Sequence, residues 1–301
     1  MTATIARTAH ELGSRALGWL RANQHLGGLP PDTDADFDDP NRAYKPLSES
    51  ALVASLVLRE GVAGPTGLAH ARELLEFTWR QMRQGDLLYE RQLRHSLLTD
   101  PMETYAHFTR VGLRHERMDE LLAHLSAVDS MTEVVPNRRL AVANARRILG
   151  LDQREDWPAL TQATWLGSTP PAWAIDWMTG YSVTHTVFHL TDWGARPEGL
   201  PADIAAYLDT WLPAWIDIWS EVEQWDLVGE LLIVGVCLPT PRLEQAEWDV
   251  LAGAQHDDGL VPRDGTPVAD DPAQRFSDQQ HTTIVAAVAG TLALSRALIV
   301  P

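Results

Sequence analysis

Two histidines and one aspartate in a short segment have the spacing of a polar site on a helix. The segment reads GYSVTHTVFHLTDWG, and its His185, His189 and Asp192 stand at positions i, i+4 and i+7. A helix with about 3.6 residues per turn places these three side chains on one face. Two imidazoles and a carboxylate are ligands that zinc and non-haem iron accept, and the same groups can act as general acid and base. The alternative is that both histidines are hydrogen-bonded within a Trp-rich interface between helices.

An acidic segment near the N-terminus offers a second kind of chemistry. Five of the eight residues in the range Asp32–Asp39 are aspartate, and residues 36–39 read D-F-D-D. This segment resembles the D-x-D-D of proton-initiated terpenoid cyclases, in which adjacent carboxylates hold one proton that attacks an alkene or epoxide. That interpretation makes Asp36 and Asp38 catalytic. The D-D-P of residues 38–40 recurs at residues 270–272, which favours instead a turn between helices at both places.

Tryptophan is unusually frequent, with 12 Trp against 5 Phe and 5 Tyr. Trp211, Trp215 and Trp219 repeat at helical spacing, and Pro213 between them is predicted to end or kink that helix. Indoles that line a cavity bind large apolar or cationic groups, whereas indoles between helices serve packing alone. Both interpretations stay open for the aromatic members of the candidate substrate-binding set. That set consists of Trp173, Trp177, Tyr181, Trp215 and Asp278.

Helical periodicity dominates the chain and must supply the elements that position these side chains. Eleven segments carry apolar residues at i, i+3, i+4 and i+7, and Gly or Pro separates most of them. No run alternates polar and apolar residues as a strand does, so the sequence predicts an all-α fold. The predicted helices are Ala9–Gln24, Ser50–Glu60, Gly67–Arg83, Met102–Val111, Met118–Val128, Arg138–Leu149, Ala172–Thr191, Ala202–Glu223, Leu227–Leu238, Leu243–Gln255 and Gln280–Ile299.

The two ends of the chain repeat each other. The N-terminal WLRANQHLGGLP and the C-terminal VLAGAQHDDGLVP are each followed by an acidic loop and a helix, so that Gln24 corresponds to Gln255 and Gly28 to Gly259. Helical hairpins that cannot bury their apolar faces alone stack on one another. Matching first and last units predict a single domain over residues 1–301, an α/α toroid or α/α superhelix. The N- and C-terminal hairpins are then expected to be in contact.

These repeats resemble those of a known superfamily. The Q-x-x-x-G-x-x-P motif and the D-x-x-H-T of residues 278–282 resemble the α/α-toroid superfamily, which includes terpenoid cyclases and protein prenyltransferase β subunits. In the prenyltransferases a similar D-x-x-H-T signature supplies a zinc-ligand histidine. The resemblance implies that His281 is a zinc ligand. His281 could then complete the zinc or iron site that helical spacing suggests for His185, His189 and Asp192.

The single cysteine departs from the prenyltransferase pattern. That zinc site also needs an aspartate two residues before its ligand cysteine, whereas Gly235 stands two residues before Cys237 here. Cys237 lies in an apolar run, where small thiols are usually inert packing. Transfer of a prenyl group to a peptide thiol is therefore not expected.

The charge balance limits the classes of partner. The chain carries 41 acidic and 24 basic residues, and its formal net charge of −17 repels phosphate backbones and anionic membranes. The N-terminal segment lacks the apolar core of a signal peptide, and the longest apolar runs are shorter than a bilayer span. We therefore expect a cytoplasmic protein that binds a small molecule, with no nucleic-acid or membrane partner.

The residues together favour an enzyme that acts on an apolar or aromatic small molecule by cyclisation, elimination or hydrolysis. His185, Asp192 and His281 would serve as metal ligands or as a general acid–base set. The chain is also similar to an actinobacterial family found beside specialised-metabolism genes, which implies natural-product biosynthesis. Two alternatives stay open. One is a proton-initiated cyclase centred on the D-x-D-D segment, and the other is a non-catalytic carrier or scaffold with a Trp-lined cavity.

Overall fold

The fold consists of thirteen α-helices in the part of the chain that the structure describes. The structure is a computed structural model that describes residues 2–36, 40–128, 131, 133–151 and 155–299. No strand occurs within these ranges, so the all-α prediction is confirmed. The helices are α1 Thr2–Asn23, α2 Pro40–Glu60, α3 Gly64–Gln81, α4 Asp86–Arg94, α5 Asp100–Thr109, α6 Glu116–Ala127, α7 Pro136–Leu149, α8 Trp157–Gln162, α9 Trp177–Thr191, α10 Ala202–Glu221, α11 Trp225–Cys237, α12 Gln245–Ala254 and α13 Pro272–Ile299.

All eleven predicted helices are present, and local capping explains where some of them begin. α9 begins at Trp177, five residues later than predicted, because Asp176 caps it. The Asp176 carboxylate accepts a hydrogen bond from the Thr179 backbone N–H at 2.8 Å, and the Thr179 hydroxyl accepts one from the Asp176 N–H at 2.7 Å. This reciprocal capping box satisfies two backbone donors at the start of the helix.

Periodicity alone misses two short helices, and one of the two effects predicted for Pro213 does not occur. α4 and α8 have only 9 and 6 residues, so their apolar faces are too short to show a clear helical repeat. α10 continues through Pro213 to Glu221, so the proline does not end this helix. Proline removes a single backbone donor, and a helix that is packed on its neighbours can tolerate that loss.

The N-terminal and C-terminal hairpins pack against each other, which confirms the prediction from the repeat. α1 lies along α13, and a Cβ at Gly290 would stand only 2.5 Å from the Ala9 carbonyl oxygen. The Gln255 side chain donates a hydrogen bond to the Leu12 carbonyl at 3.1 Å, and the Arg15 guanidinium donates one to the His256 carbonyl at 2.7 Å. The α/α toroid itself stays a prediction.

Two helices form the centre of the core. Every residue of α11 from Asp226 to Cys237 is buried, and the helix contacts α9, α10, α12 and α13. A helix that is apolar on nearly all sides, as α11 is apart from Asp226 and Glu230, is expected to lie inside the protein. α13 is long and apolar enough to cross a membrane, but 83% of its most apolar window is buried against the rest of the protein. Burial of this kind is the usual property of a core helix.

Candidate functional site

A cavity of about 430 Å³ lies between α2, α7, α9, α11 and α13. This volume is sufficient for a small organic molecule. Its lining combines aliphatic and aromatic side chains with ionisable ones. The apolar lining residues are Leu52, Trp177, Phe188, Trp193, Ile233, Ile284, Val285 and Val288, and the polar ones are Lys45, Glu49, Arg138, Tyr181, His185, His189, Asp226, Glu230 and His281.

Five of the polar side chains form a carboxylate–imidazole cluster, which consists of Glu49, His185, Asp226, Glu230 and His281. His281 Nδ1 is hydrogen-bonded to Glu49 Oε1 at 3.0 Å, and its Nε2 lies 3.6 Å from Asp226 Oδ1 and 3.7 Å from Glu230 Oε1. His185 Nε2 lies 3.6 Å from the same Glu230 oxygen. The cluster therefore brings two imidazoles close to one oxygen of a buried carboxylate.

Helical spacing places these groups on facing surfaces. Asp226 and Glu230 are one turn apart on α11, so their carboxylates lie on the same face of that helix. Tyr181 and His185 are one turn apart on α9, which packs against α11. Asp226 is in the first turn of α11, where the helix dipole favours a negative charge.

Hydroxyl groups fix both carboxylates of α11. Asp226 accepts hydrogen bonds from the Tyr181 hydroxyl at 2.6 Å and from the Thr282 hydroxyl at 3.0 Å. Glu230 Oε2 accepts a short hydrogen bond from the Thr184 hydroxyl. Burial and the neighbouring Asp226 raise the pKa of Tyr181, so this hydroxyl keeps its proton and acts as a donor. The orientation of the carboxylates is therefore set before any ligand enters.

Burial and charge move the pKa values of the cluster in different directions. Burial alone would lower the pKa of His281, but Glu49 and Asp226 outweigh it and raise that pKa well above 6.5. Burial would raise the pKa of Glu49, but His281 outweighs burial and lowers it. Burial raises the pKa of Asp226, and the negative charge of Glu230 adds to the increase. Glu230 is also buried, but His185 and His281 lower its pKa to about 2. At neutral pH the cluster therefore contains an imidazolium at His281 between ionised Glu49 and Glu230.

The cluster includes only part of the predicted histidine site. His185 and His281 do converge, since both Nε2 atoms lie within 4 Å of Glu230 Oε1. His189 is on the cavity wall, with its ring centre 6.2 Å from that of His185, and burial lowers its pKa well below 6.5. Its nitrogens are not part of the group of ligand atoms that converges among the described residues.

The assignment of Asp192 as a catalytic residue or metal ligand is corrected. Asp192 ends α9 with a φ of 47°, so its side chain leaves the face that carries His185. Its carboxylate accepts two hydrogen bonds from the Arg110 guanidinium, at 2.9 and 2.7 Å, and one from the Asn144 amide at 3.3 Å. Burial opposes ionisation of Asp192, but the hydrogen bonds and charge of Arg110 lower its pKa. The residue anchors the end of the helix and does not belong to the cluster.

The predicted substrate-binding residues divide into two groups. Trp177 and Tyr181 line the cavity. Trp173 is 82% exposed, and Trp215 is buried with its indole N–H donating to the Ala172 carbonyl at 3.1 Å. Asp278 accepts a hydrogen bond from the Gln274 side chain at 2.7 Å. The last three side chains are not part of the cavity lining, and the packing interpretation of the indole holds for Trp215.

The described part of the acidic segment, residues 32–36, does not line the cavity. Asp36 is exposed, and its carboxylate is paired with Arg94 at 2.5 Å and with His95 at 2.8 Å. Hydrogen bonds from His95 and Arg94 lower its pKa, which is opposite to the change that a proton donor needs. Asp38 lies outside the described residues. The D-x-D-D interpretation of Asp36 is therefore corrected to a surface ion pair.

Sequence reasoning missed three carboxylates of the cluster: Glu49, Asp226 and Glu230. A signal for two of them is present in WDLVGELLIVGVC, where Asp226 and Glu230 interrupt an otherwise apolar helix at one-turn spacing. Acidic residues are almost never fully buried unless they are paired. Two carboxylates on a core helix therefore indicate basic partners on neighbouring helices.

The chain matches the model of a known protein family. A family model described as a domain of unknown function, DUF6895, matches residues 13–291. This range includes every member of the carboxylate–imidazole cluster. Neither a curated protein nor a solved structure matches the sequence.

Proposed function

The chain belongs to the DUF6895 family, and we propose that it is an enzyme that transfers protons to and from an apolar or aromatic small molecule. The observation that carries this proposal is that the carboxylate–imidazole cluster lines a cavity whose other lining residues are mostly apolar. Ionisable groups with displaced pKa values inside a pocket are typical of acid–base catalysis. Cyclisation and elimination are the reactions that such a cluster supports best, because an acid and a base can supply all the catalytic assistance that the substrate's own bond changes need.

His281 is the general acid in this proposal. Glu49 accepts the Nδ1 hydrogen, so the Nε2 hydrogen is the one that faces the rest of the cluster. The distances of 3.6 and 3.7 Å from Nε2 to Asp226 and Glu230 are longer than a hydrogen bond. That hydrogen is therefore available to a ligand in the cavity, and the raised pKa keeps it on the ring at neutral pH.

His185 is the group that removes a proton later in the reaction. A cyclisation or elimination that begins when His281 protonates the substrate ends when a base takes a proton from carbon. His185 Nε2 lies 3.6 Å from Glu230 Oε1, and the ionised carboxylate would stabilise the imidazolium that forms. Trp177 and Trp193 line the same cavity, and their ring faces can stabilise a positively charged intermediate.

The test is exchange of hydrogen with solvent. The protein is incubated in D2O with a panel of apolar and aromatic metabolites, and each metabolite is followed by mass spectrometry. We expect one compound to gain deuterium or to form a cyclised or eliminated product with the unmodified protein, and not with His281→Gln. Arg80→Gln, a change at an exposed ion pair on α3, is the matched control and should behave as the unmodified protein. Metabolites that raise the melting temperature but are never altered would identify a carrier and overturn the enzyme proposal.

A divalent metal is a second candidate for the chemistry of this cluster. Asp226, Glu230 and His281 each offer one ligand atom, and these atoms all lie within 4.8 Å of one another. Two carboxylates and an imidazole are a ligand set that zinc and iron accept, and His185 is adjacent to the same Glu230 oxygen. A bound metal would act as a Lewis acid or activate water, which would favour hydrolysis. Tyr181 and Thr282 would orient the Asp226 ligand.

Metal binding is tested with zinc and ferrous iron, by calorimetry on protein that has been treated with a chelator. We expect binding to be lost in Asp226→Asn and to be unchanged in Asp192→Asn, which was predicted as a ligand and lies outside the cluster. Binding should weaken as the pH falls, because the metal must displace the proton from His281. No binding by the unmodified protein, or equal binding by both variants, would leave acid–base catalysis as the function of the cluster.

We further propose that the ligand is a cytoplasmic metabolite rather than a nucleic acid or a membrane lipid surface. The net charge of −17 supports this proposal because it repels polyanions. A role in actinobacterial natural-product biosynthesis would be consistent with an apolar cavity of this size.

A further inference from the structure

Lys45 is the only lysine in a chain that has 23 arginines, and it lies on the wall of the cavity. Its side chain is 55% exposed, and its Nζ atom is 3.6 Å from Glu49 Oε1. That distance is longer than a direct hydrogen bond, so the ion pair leaves the ammonium donors free to turn toward another acceptor. A lysine carries a compact charge on a flexible stem, so the Lys45 ammonium can turn toward a ligand more freely than a planar guanidinium could.

The other long cationic side chain on the described wall, Arg138, is already paired with carboxylates. Arg138 donates two hydrogen bonds to the Glu103 carboxylate, at 2.8 and 2.6 Å, and its Nε lies 3.5 Å from Glu133. A bidentate pair of this kind holds the guanidinium in place. Among the described wall residues, Lys45 is therefore the long cationic side chain with donors for a ligand.

We propose that the cavity takes an apolar or aromatic carboxylate whose single negative charge is bound by Lys45. This inference rests on the proposed function and names its substrate class. The exposed ammonium marks the open side of the cavity, and the apolar body of the ligand packs on apolar lining residues such as the buried Phe188 and Val288. The carboxylate then replaces Glu49 as the nearest partner of Lys45, while Glu49 keeps its hydrogen bond to His281.

A singly charged headgroup fits this wall better than a phosphate or diphosphate does. Phosphate groups are typically bound by several cations, by a glycine-rich loop or by a helix N-terminus. Lys45 is the sixth residue of α2, so it does not lie at the N-terminus of that helix. The other long cationic side chain on the wall, Arg138, is paired with Glu103. The geometry therefore favours one carboxylate.

The test compares three ligands with the same ring system and different headgroups: naphthoate, naphthylmethanol and naphthylmethylamine. Their binding to the purified full-length protein is measured by calorimetry at low ionic strength. We expect naphthoate to bind roughly fivefold more tightly than the alcohol, since a half-exposed ammonium contributes up to about 1 kcal/mol. The amine should bind most weakly. Raising the salt concentration should weaken the binding of naphthoate alone.

Two variants test whether Lys45 is the residue responsible for the preference for naphthoate. Lys45→Gln should remove the preference for naphthoate over the alcohol, and Lys45→Arg should keep most of it. Arg80→Gln is the matched control, because Arg80 also belongs to an exposed i,i+4 pair, with Glu76 at 3.9 Å. Equal affinity for acid and alcohol, or tightest binding of the amine, would overturn this inference and leave the proposed function intact. Failure of all three compounds to bind would count against both.

Discussion

Glu49 accepts a hydrogen bond from Nδ1 of His281 at 3.0 Å, which joins residues that are 232 positions apart in the chain. Glu49 is on α2 in the N-terminal hairpin, and His281 is on α13 in the C-terminal hairpin. The bond fixes the imidazole so that Nε2 faces Asp226 and Glu230. The candidate site therefore exists only when the two ends of the chain are packed together.

The charge on His281 should make stability depend on pH. Its pKa in the folded protein is raised well above 6.5, because Glu49 and Asp226 outweigh burial. The stabilisation from the protonated ring is therefore fully present below about pH 6.5 and is lost as the pH rises through the folded-state pKa. We expect His281→Gln to lower the melting temperature at pH 6 more than at high alkaline pH, as measured by thermal unfolding across about pH 6 to pH 10. His25→Gln, at an exposed position, should leave the profile unchanged. A parallel profile for both variants would contradict the charged ring.

The packing of α1 on α13 depends on a close approach at Gly290. A Cβ at this position would lie 2.5 Å from the Ala9 carbonyl oxygen and 2.7 Å from the Gly13 backbone nitrogen. Both contacts are with backbone, so the helices must move apart, and we expect Gly290→Ala to destabilise the protein by about 1–3 kcal/mol.

Gly18→Ala on α1 is the control, because nothing lies within 4 Å of its added Cβ. That variant should stabilise by up to about 1 kcal/mol, since alanine is the better helix former. Denaturant unfolding measures both, and equal effects would argue against the close contact.

The helices and the terminal contact were predictable, whereas the composition of the site was only partly so. Apolar periodicity is a local property, and it identified the helix that carries His185 and the one that carries His281. Asp192 shows the limit of that reasoning. Helical spacing assumes that the helix continues, but the backbone of Asp192 has a positive φ. Its carboxylate is bound instead by Arg110, which is distant in sequence. Glu49 was missed because only the packing of α2 on α13 brings it to the site.

The acidic segment is expected to be dispensable for the chemistry of the cavity. Asp36 is an exposed residue whose carboxylate pairs with Arg94 and His95. Exposed pairs of this kind contribute little to stability. Asp36→Asn should therefore keep the melting temperature close to that of the unmodified protein and leave ligand binding unchanged. Calorimetry with naphthoate and a thermal melt test both points, and a loss of binding at unchanged stability would restore the D-x-D-D interpretation.

A buried ion pair holds the end of α9 beside the cavity. Asp192 and Trp193 have φ values of 47° and 54°, a conformation that residues other than glycine adopt only when the surroundings require it. The Arg110 guanidinium binds the Asp192 carboxylate, and Arg59 donates to the carbonyl oxygens of Asp192 and Trp193 at 2.9 and 2.8 Å. These arginines also place positive charge at the C-terminal end of the helix. Trp193 is thereby positioned on the cavity wall.

Asp192→Asn should destabilise the protein without abolishing the chemistry of the site. Asparagine tolerates the positive φ, so the change removes the charge and leaves Arg110, only 8% exposed, without its counterion. We expect a loss of about 2–4 kcal/mol in unfolding free energy, as for a buried pair that loses one partner. The folded-state pKa of Asp192 is lowered below 3.8, so this stabilisation is present above that pH and is lost as the pH falls through the folded-state pKa.

The double variant Arg110→Met with Asp192→Asn should recover part of the loss, because no unpaired charge stays buried. Denaturant unfolding of the unmodified protein, Asp192→Asn, Arg110→Met and the double variant gives the coupling energy. Activity or zinc binding per folded molecule should be equal in all four proteins. A variant that is fully stable but inactive would return Asp192 to the site.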